Sequence, residues 1–557
     1  MAISVVLLLA TLLIACGGSG QFRRSEPIPS DQQDIPAPEF REKDVFAMYF
    51  DKQITDQGEQ VFDLSRQFRR LFGRPKQAFN VDAFDEVPNS SWFTNRNFRR
   101  QLSLEAITHG PGEGRGPAPG IWEVVSAKVG GATAGFQIVD SRGDRYVLKF
   151  DPPGYAEMAT GAEVVSTNLF YAAGYNTPEN QLATFRPEEL RLGDNVAFAD
   201  GFGGDRFMTQ ADLDAVLVRV HKLPDGRIRT MASKYLPGQI LGPFEYDGTR
   251  PDDPNDFIPH EHRRELRGMR YIAAWINHYD TKSANSMDAY VEQGGRRYVR
   301  HHMMDFGSTL GSQGNEPMPI KVGYENTKDP RQALIYAITL GLYVPPWQRH
   351  ETEVLYPSIG RLSSNLFDPP KFKPITPNPA FENLTHRDGY WGAKIVMSFT
   401  NEQIEAAVAA GQYTDPEAAA YLLRTLIERR DKIGRYWFVK MNPLDRFELH
   451  SADETSEVCF ADLAVDGGLE QAASTRYRHT ITYADQDVVV DRETQSTCVR
   501  LPPVPASVSS KDAALQNIRI TLQTRRETTP SWSNRIWVFL SADEIGGLQL
   551  LGLQREE

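Results

Sequence analysis

Asp280, Asn285 and Asp305 are the residues of this sequence whose types and spacing most directly point to chemistry. The first two lie in His278-Tyr-Asp-Thr-Lys-Ser-Ala-Asn285, and the third opens Asp305-Phe306-Gly307. Phosphoryl transfer to a hydroxyl needs a carboxylate that orients the hydroxyl and accepts its proton. It also needs an Asn or Asp a few residues on to hold a metal, and a second metal-binding Asp brought in nearby. Asp280 and Asn285 have the spacing for the first two roles, Asp305 for the third. Lys282 adds a cation that can contact a phosphate.

Two alternating strands connect the loop to Asp305. Asp288-Ala-Tyr-Val-Glu292 and Arg296-Arg-Tyr-Val-Arg300 are joined by Gln293-Gly-Gly295, and the second runs into Met303-Met304-Asp305. That is a hairpin pattern. Upstream, Lys149 stands at the end of the strand pattern Arg145 to Phe150. Glu163 opens the helical spacing Ala162 to Ala173, which ends at Gly174, where a C-cap belongs. A strand Lys oriented by a helix Glu can hold nucleotide phosphates. Gly130-Gly131-Ala-Thr-Ala-Gly135 lies between two strands and can turn backbone N–H groups toward phosphate. It lacks the Gly-x-Gly-x-x-Gly spacing, and an ordinary hairpin turn uses the same glycines. Met231 to Gly238, with Tyr235 inside it, reads as a linker strand that contacts a base through its backbone. Each residue alone also has a plain structural use: a strand-end Lys, a helix-start Glu favoured by the macrodipole, turn residues at 280 and 285.

The order Lys149, Glu163, Asp280, Asn285, Asp305 resembles the protein-kinase-like superfamily, whose catalytic loop reads His-Arg-Asp-Leu-x-x-x-Asn before Asp-Phe-Gly. Details resemble its atypical branch. Ala162-Glu163 followed by Leu169-Phe-Tyr-Ala-Ala-Gly-Tyr-Asn-Thr-Pro178 is similar to the helix of HipA-type kinases. His301-His-Met-Met-Asp-Phe-Gly307 is similar to the matching strand of phosphoinositide kinases. The resemblance covers residues 120–440 and no Ala-Pro-Glu follows Gly307, so no conventional activation segment is implied.

The resemblance implies a bilobal α+β core, with a β-rich N-lobe and a helical C-lobe, that uses ATP or another nucleotide with Mg²⁺ or Mn²⁺. Lys149, Glu163, Gly130, Gly131, Gly135 and Tyr235 would bind the nucleotide. Asp280 with Lys282 would act on the acceptor, Asn285 and Asp305 would hold metal, and His278 would brace the loop. It leaves two functions open. One is an active phosphotransferase, or nucleotidyl transferase. The other is a catalytically silent kinase fold acting as an envelope binding or scaffold protein.

The rest of the chain frames that core. Val5 to Ala15 is almost unbroken apolar sequence, the length of a signal-peptide core and short of a membrane span. Leu13-Ile14-Ala15-Cys16 resembles the lipobox of bacterial lipoproteins, although Met1-Ala-Ile-Ser4 carries no Lys or Arg. The motif implies cleavage before Cys16 and anchoring of the exported chain to a membrane by a lipid on that thiol. An uncleaved hydrophobic leader is the alternative. Residues 16–45 read as a disordered tether, 46–245 as an N-terminal extension and N-lobe, 246–443 as the helical C-lobe, and 444–557 as a β-sandwich. Cys459 and Cys498 both fall in that last region, where an oxidising compartment allows a disulfide; two buried thiols are the alternative. His260-Glu-His262 lacks a zinc-site spacing and reads as surface, and His301 and His302 alternate, one in and one out.

Of 557 residues, 40% are apolar and 24% charged, which allows a sizeable core. The net charge of −12 gives no reason to expect nucleic-acid binding. The expected partners are the membrane through Cys16 and an unidentified protein, glycan or small-molecule acceptor.

Overall fold

The computed structural model describes residues 22, 24, 26–42, 69, 75–127, 135–199, 205–326, 330–350, 353–452, 455–483, 488–504, 516–543 and 547–557. Cys16, Gly130, Gly131 and the helical pattern Val61 to Phe72 apart from Arg69 lie outside them. The chain divides into two units. One comprises Ile28–Val81 and Val87–Phe438; the other comprises Met1–Pro27, Asp82–Glu86 and Val439–Glu557.

The larger unit begins with a sheet. Its strands are β1 (Trp122–Ala127), β2 (Gly135–Val139), β3 (Arg145–Phe150), β4 (Asn180–Phe185) and β5 (Leu190–Leu192). A small pair, β6 (Ala197–Ala199) and β7 (Asp205–Phe207), stands apart, and β8 (Ile228–Lys234) completes the sheet. The order is β4-β8-β3-β2-β1-β5, antiparallel throughout except for β1 with β5. Period-2 alternation sorts the two faces. Phe136, Ile138, Tyr146, Leu148 and Phe150 enter one core with Leu213 and Leu217. The opposite face carries Met231, which packs on Val164. Lys149 is the register partner of both Gly135 and Met231.

Between β3 and β4 runs α1 (Met158–Ala173), closed at Gly174 as its spacing predicts. It begins earlier than the sequence indicates. The Asp151 carboxylate, just past β3, accepts from the Ala159 and Thr160 N–H groups at 2.9 Å each. The cap therefore comes from seven or more residues upstream, beyond the local capping signals, and Glu163 sits in the second turn rather than opening the helix. The helix α2 (Gln210–Leu217) has the Thr209–Asp212 capping box read from sequence.

The helical part is built on α3 (Arg264–Ile276), α4 (His386–Met397), α5 (Asn401–Ala410) and α6 (Pro416–Lys440). A Cβ on Gly392 would lie 2.4 Å from the Gly268 carbonyl, so glycines let α3 and α4 approach backbone to backbone. Asp388 accepts from Arg264 Nε and Arg267 Nη1 at 3.0 Å each across the same contact. Trp275 Nε1 donates to Leu426 O at 2.8 Å, fixing α3 to α6. Asn277, in a left-handed conformation at φ 54°, ends α3 just before His278. After the loop, β10 (Ser286–Gln293) and β11 (Arg296–Met303) form the hairpin, extended by β9 (Gln239–Gly242).

Three expectations are corrected here. Residues 28–42 are not a loose tether: Asp31 and Ile35 are buried, Ile35 N–H donates to Arg297 O, and Arg41 N–H donates to Leu241 O. A few well-placed side chains anchor a segment whose composition is that of a linker. His260 and His262 are buried rather than on the surface. Asp256 and the Glu245 carbonyl hold His260, and Arg267 donates to His262. His301 and His302 are both buried: His301 pairs with Asp288 at 2.6 Å and stacks on Trp92 at 3.6 Å, while His302 is enclosed behind β11.

The second unit is a β-sandwich. One sheet has β12 (Leu444–Ala452), β13 (Thr455–Asp462) and β16 (Cys498–Leu501). The other runs β15 (Val488–Thr494), β14 (Arg476–Tyr483), β17 (Ile518–Arg525), β18 (Ile536–Ala542), β19 (Leu548–Arg555). Val458, Phe460 and Val499 from the first meet Ile481, Ile520 and Val538 from the second in one core. Residues 82–86 join it: Leu553 N–H donates to Ala83 O, and Phe84 packs on the core. Cys459 and Cys498 are register partners and are disulfide-bonded.

Candidate active site

The site assembles from four places in the larger unit: β3, α1, the loop after α3, and the turn after β11. Lys149 is on the face of β3 away from the aromatic core. Its Nζ donates to Glu163 Oε1 and Oε2 at 3.0 and 2.9 Å and to Asp305 Oδ1 at 2.8 Å. Glu163 is fully engaged. Its Oε1 also accepts from Phe306 N–H at 3.0 Å, and a Cβ on Gly307 would lie 2.8 Å from its Oε2. Gly307 is thus required for close approach of the turn to α1. Asp305 adopts φ 58°, uncommon for a non-glycine residue. This conformation brings its carboxylate to Lys149 while its side chain stays 46% exposed, against 3% for Glu163. One carboxylate is structural in position, the other accessible.

Charge follows from the same contacts. Burial opposes the Lys149 charge, but Asp305 and Glu163 outweigh it and hold the ammonium above its usual pKa. Burial, with help from the Asp305 charge, pushes Glu163 up, while Lys149 pulls it back.

The loop forms a second cluster. Lys282 Nζ donates to Asp280 Oδ2 at 2.9 Å, and Asn285 Nδ2 donates to the Asp280 carbonyl at 2.8 Å and its Oδ2 at 3.0 Å. Asp280 is therefore oriented from both sides. The two clusters are joined through buried rings. His278 packs on Phe306 with centroids 5.4 Å apart, and Phe306 packs on Phe170 of α1 at 4.9 Å. Met304 N–H donates to Asn285 O at 2.9 Å, tying the turn to the loop. Burial lowers the His278 pKa to about 4 despite the nearby Asp280 and Asp305 charges, so its ring is neutral at pH 7.

Of the sequence-derived residues, Lys149, Glu163 and Asp305 meet directly, as do Asp280, Lys282 and Asn285. Gly135 faces Lys149 across the sheet. Tyr235 follows β8; its N–H donates to Arg145 O at 3.0 Å and its hydroxyl to Gln137 Oε1. That N–H is thus engaged by the protein itself. Sequence reasoning passed over Phe170, whose apolar place in α1 looks like any core position, and Asn180, whose amide donates to Thr167 Oγ1 at 2.8 Å behind Glu163.

No family model matches the chain, and no curated protein matches it in sequence. Among solved structures, it is similar to the Helicobacter pylori proinflammatory kinase CtkA at 12% identity, over 57% of this chain and 99% of that one, with TM-score 0.29. It is similar to the Golgi casein kinase at 12% identity, over 73% and 95%, with TM-score 0.28. A structure of the Golgi casein kinase with Mn/ADP bound gives 13%, 73% and 94%, and 0.26. At these scores the likenesses carry no argument. The chain's own order of elements is a sheet with Lys149, a helix with Glu163, a loop with Asp280, a hairpin, and Asp305-Phe306-Gly307.

Proposed function

We propose that the chain is an exported, lipid-anchored phosphotransferase of the atypical kinase-like kind. It would move a phosphoryl group from a nucleotide to a hydroxyl on a protein, glycan or small molecule. The observation that carries the reading is the convergence of Lys149 on both Glu163 and Asp305, residues 14 and 156 positions away in the chain. A buried ion pair is costly to maintain without a geometric use, and this one aims an ammonium at the place where phosphate oxygens would lie.

The donor set fits a hard divalent cation. Asp305 offers an exposed carboxylate, and Asn285 offers Oδ1, since its Nδ2 is bonded to Asp280. Carboxylate and amide oxygens are the ligands that Mg²⁺ and Mn²⁺ take. When bound, such an ion supplies charge neutralisation of the phosphates. The chain's own residues supply the rest. Glu163 holds Lys149 in place to bind phosphate oxygens. Lys282 and Asn285 fix the Asp280 carboxylate so that it can orient the acceptor hydroxyl and accept its proton. The neutral His278 ring supports the turn from beneath and takes no proton at pH 7.

The lipobox at Cys16 and the disulfide between Cys459 and Cys498 both support export to an oxidising compartment. Among the described residues no helix is long and apolar enough to cross a membrane. The deciding experiment is a thermal-shift screen of the soluble chain, beginning after Cys16, with nucleotides and Mg²⁺ or Mn²⁺. A metal-dependent shift with one nucleotide, absent in Asp305→Ala, supports the reading. The same shift in both proteins, or no shift with any pair, supports the silent scaffold instead.

A further inference from the structure

Beside residues 234–237, at and after the end of β8, lies a cavity of about 270 Å³. None of Lys149, Glu163, Asp280, Asn285 or Asp305 lines it. Its walls come from two sheets, with Lys234 and Tyr235 at the end of β8 and Arg300 and His302 on β11, together with Arg96 and Thr177.

The polar groups there are cationic and incompletely answered. Arg96 Nη1 donates to the carbonyls of Tyr171 and Tyr175 at 2.8 and 2.9 Å, and its guanidinium lies 4.1 Å over the Tyr171 ring. Arg300 donates to Gln293 and to the Tyr298 hydroxyl. Among the described residues neither arginine has a carboxylate partner, and they are near enough that the Arg300 charge helps burial depress the Arg96 pKa. Lys234 reaches Asp144 at 3.4 Å. Thr177 is 7% exposed, and its Oγ1 has no hydrogen-bond partner. One carboxylate, Glu179, lines the cavity; burial raises its pKa, and the nearby Lys234 charge opposes that rise. Two guanidinium groups with no carboxylate partner among the described residues, the Lys234 ammonium beside Asp144 and Glu179, and an unsatisfied hydroxyl therefore line one space.

We propose that this cavity binds a phosphate-bearing small molecule, with Arg96 and Arg300 as its principal anchors and Thr177 and Lys234 as further donors. Guanidinium forks match phosphate and carboxylate alike. Three of the four donor residues are cationic, which matches the higher charge and the additional oxygens of a phosphate better than the single charge of a carboxylate. The volume suits a small ester or pyrophosphate rather than a macromolecule. The bound anion would bridge the six-stranded sheet, through Lys234, to the hairpin that leads into Asp305, through Arg300.

The test is calorimetric titration of inorganic pyrophosphate into the full chain in EDTA, which removes metal-dependent binding at the other site. Saturable one-to-one binding is expected. Arg300→Glu should weaken it by about tenfold or more, while Asp305→Asn should leave it within about twofold. Arg96→Lys and Thr177→Val, checked for folding by circular dichroism, give the same reading if Arg300→Glu does not fold. No saturable binding at millimolar pyrophosphate would overturn the proposal. So would binding that persists in Arg300→Glu and disappears in Lys149→Met, since the anion would then occupy the nucleotide cleft. Neither result touches the metal-dependent nucleotide shift, so the two readings fail separately.

Discussion

Lys149 donates to both carboxylate oxygens of Glu163, at 3.0 and 2.9 Å, from a strand to the second turn of the following helix. Glu163 is buried and its Oε1 also accepts from Phe306 N–H, so the pair fixes the lysine, the helix and the turn after β11 together. Glu163→Gln keeps the shape and removes the charge. It leaves a buried ammonium with Asp305 as its remaining anion. Breaking such a pair from one side costs about 3–5 kcal/mol, and Asp305 should recover part of that. The expected result is a lower midpoint in urea and weaker nucleotide binding by thermal shift; an unchanged midpoint would show the pair to be idle.

The two acidic residues of the site should fail differently. Asp280→Asn retains the hydrogen bonds that orient the loop but cannot accept a proton. If the acceptor hydroxyl is deprotonated there, kcat should fall by about 10²–10⁴ with nucleotide affinity nearly unchanged. Asp305→Asn should instead abolish the metal dependence of nucleotide binding. Autophosphorylation or nucleotide hydrolysis by the soluble chain gives the first readout, and thermal shift with and without Mg²⁺ or Mn²⁺ the second. Equal loss of binding in both variants would contradict the assignment of roles.

His278 gives the fold a pH dependence with a definite sign. Its pKa falls from an ordinary value of 6.5 to about 4, chiefly because burial against Phe306 and Phe170 disfavours the charged ring. The unfolded chain takes up the proton near pH 6.5, and the folded chain only near pH 4. Stability from this group is therefore full above pH 6.5 and is lost as pH falls toward 4, by about 1.4 kcal/mol per pH unit inside that window. Denaturant melts between pH 7 and 4.5 should show that slope reduced in His278→Phe. An identical slope in both proteins would place the titration elsewhere.

Much of this site was legible because its residues fall in short local patterns. His278 to Asn285, the hairpin turn at Gln293-Gly-Gly295 and the Gly174 cap are each readable from a few neighbouring residues. What escaped depends on side-chain partners that fall outside the standard capping and turn patterns. The start of α1 depends on Asp151 reaching across a turn, and the burial of His260 depends on Asp256 and the Glu245 carbonyl. Residues 28–42 have linker composition, yet Asp31 accepts from Ser91 N–H and Oγ and so stays buried. Residues 82–86 likewise belong with the sandwich through contacts to the last strand of the chain, more than 400 positions on. The Asp31–Ser91 and Ala83–Leu553 pairings join distant parts of the chain and lie beyond any local window.

Gly307 offers the sharpest test of whether the turn and the helix act as one device. A methyl group there would sit 2.8 Å from Glu163 Oε2 and 3.8 Å from Asp305 Oδ1, closer to the first than a carbon can stably lie. The Glu163 side chain is buried and bonded on both oxygens, so it cannot swing clear without releasing Lys149 or the Phe306 N–H. Gly307→Ala should therefore cost about 1–3 kcal/mol of stability, the usual range for overpacking. It should also weaken nucleotide binding although residue 307 carries no polar side chain. The cycle with Glu163→Gln separates the causes. If the methyl acts by displacing Glu163, the double variant should be less destabilised than the sum of the singles, by about 0.5–3 kcal/mol. Strict additivity would mean that the turn is strained by something other than the Lys149–Glu163 pair.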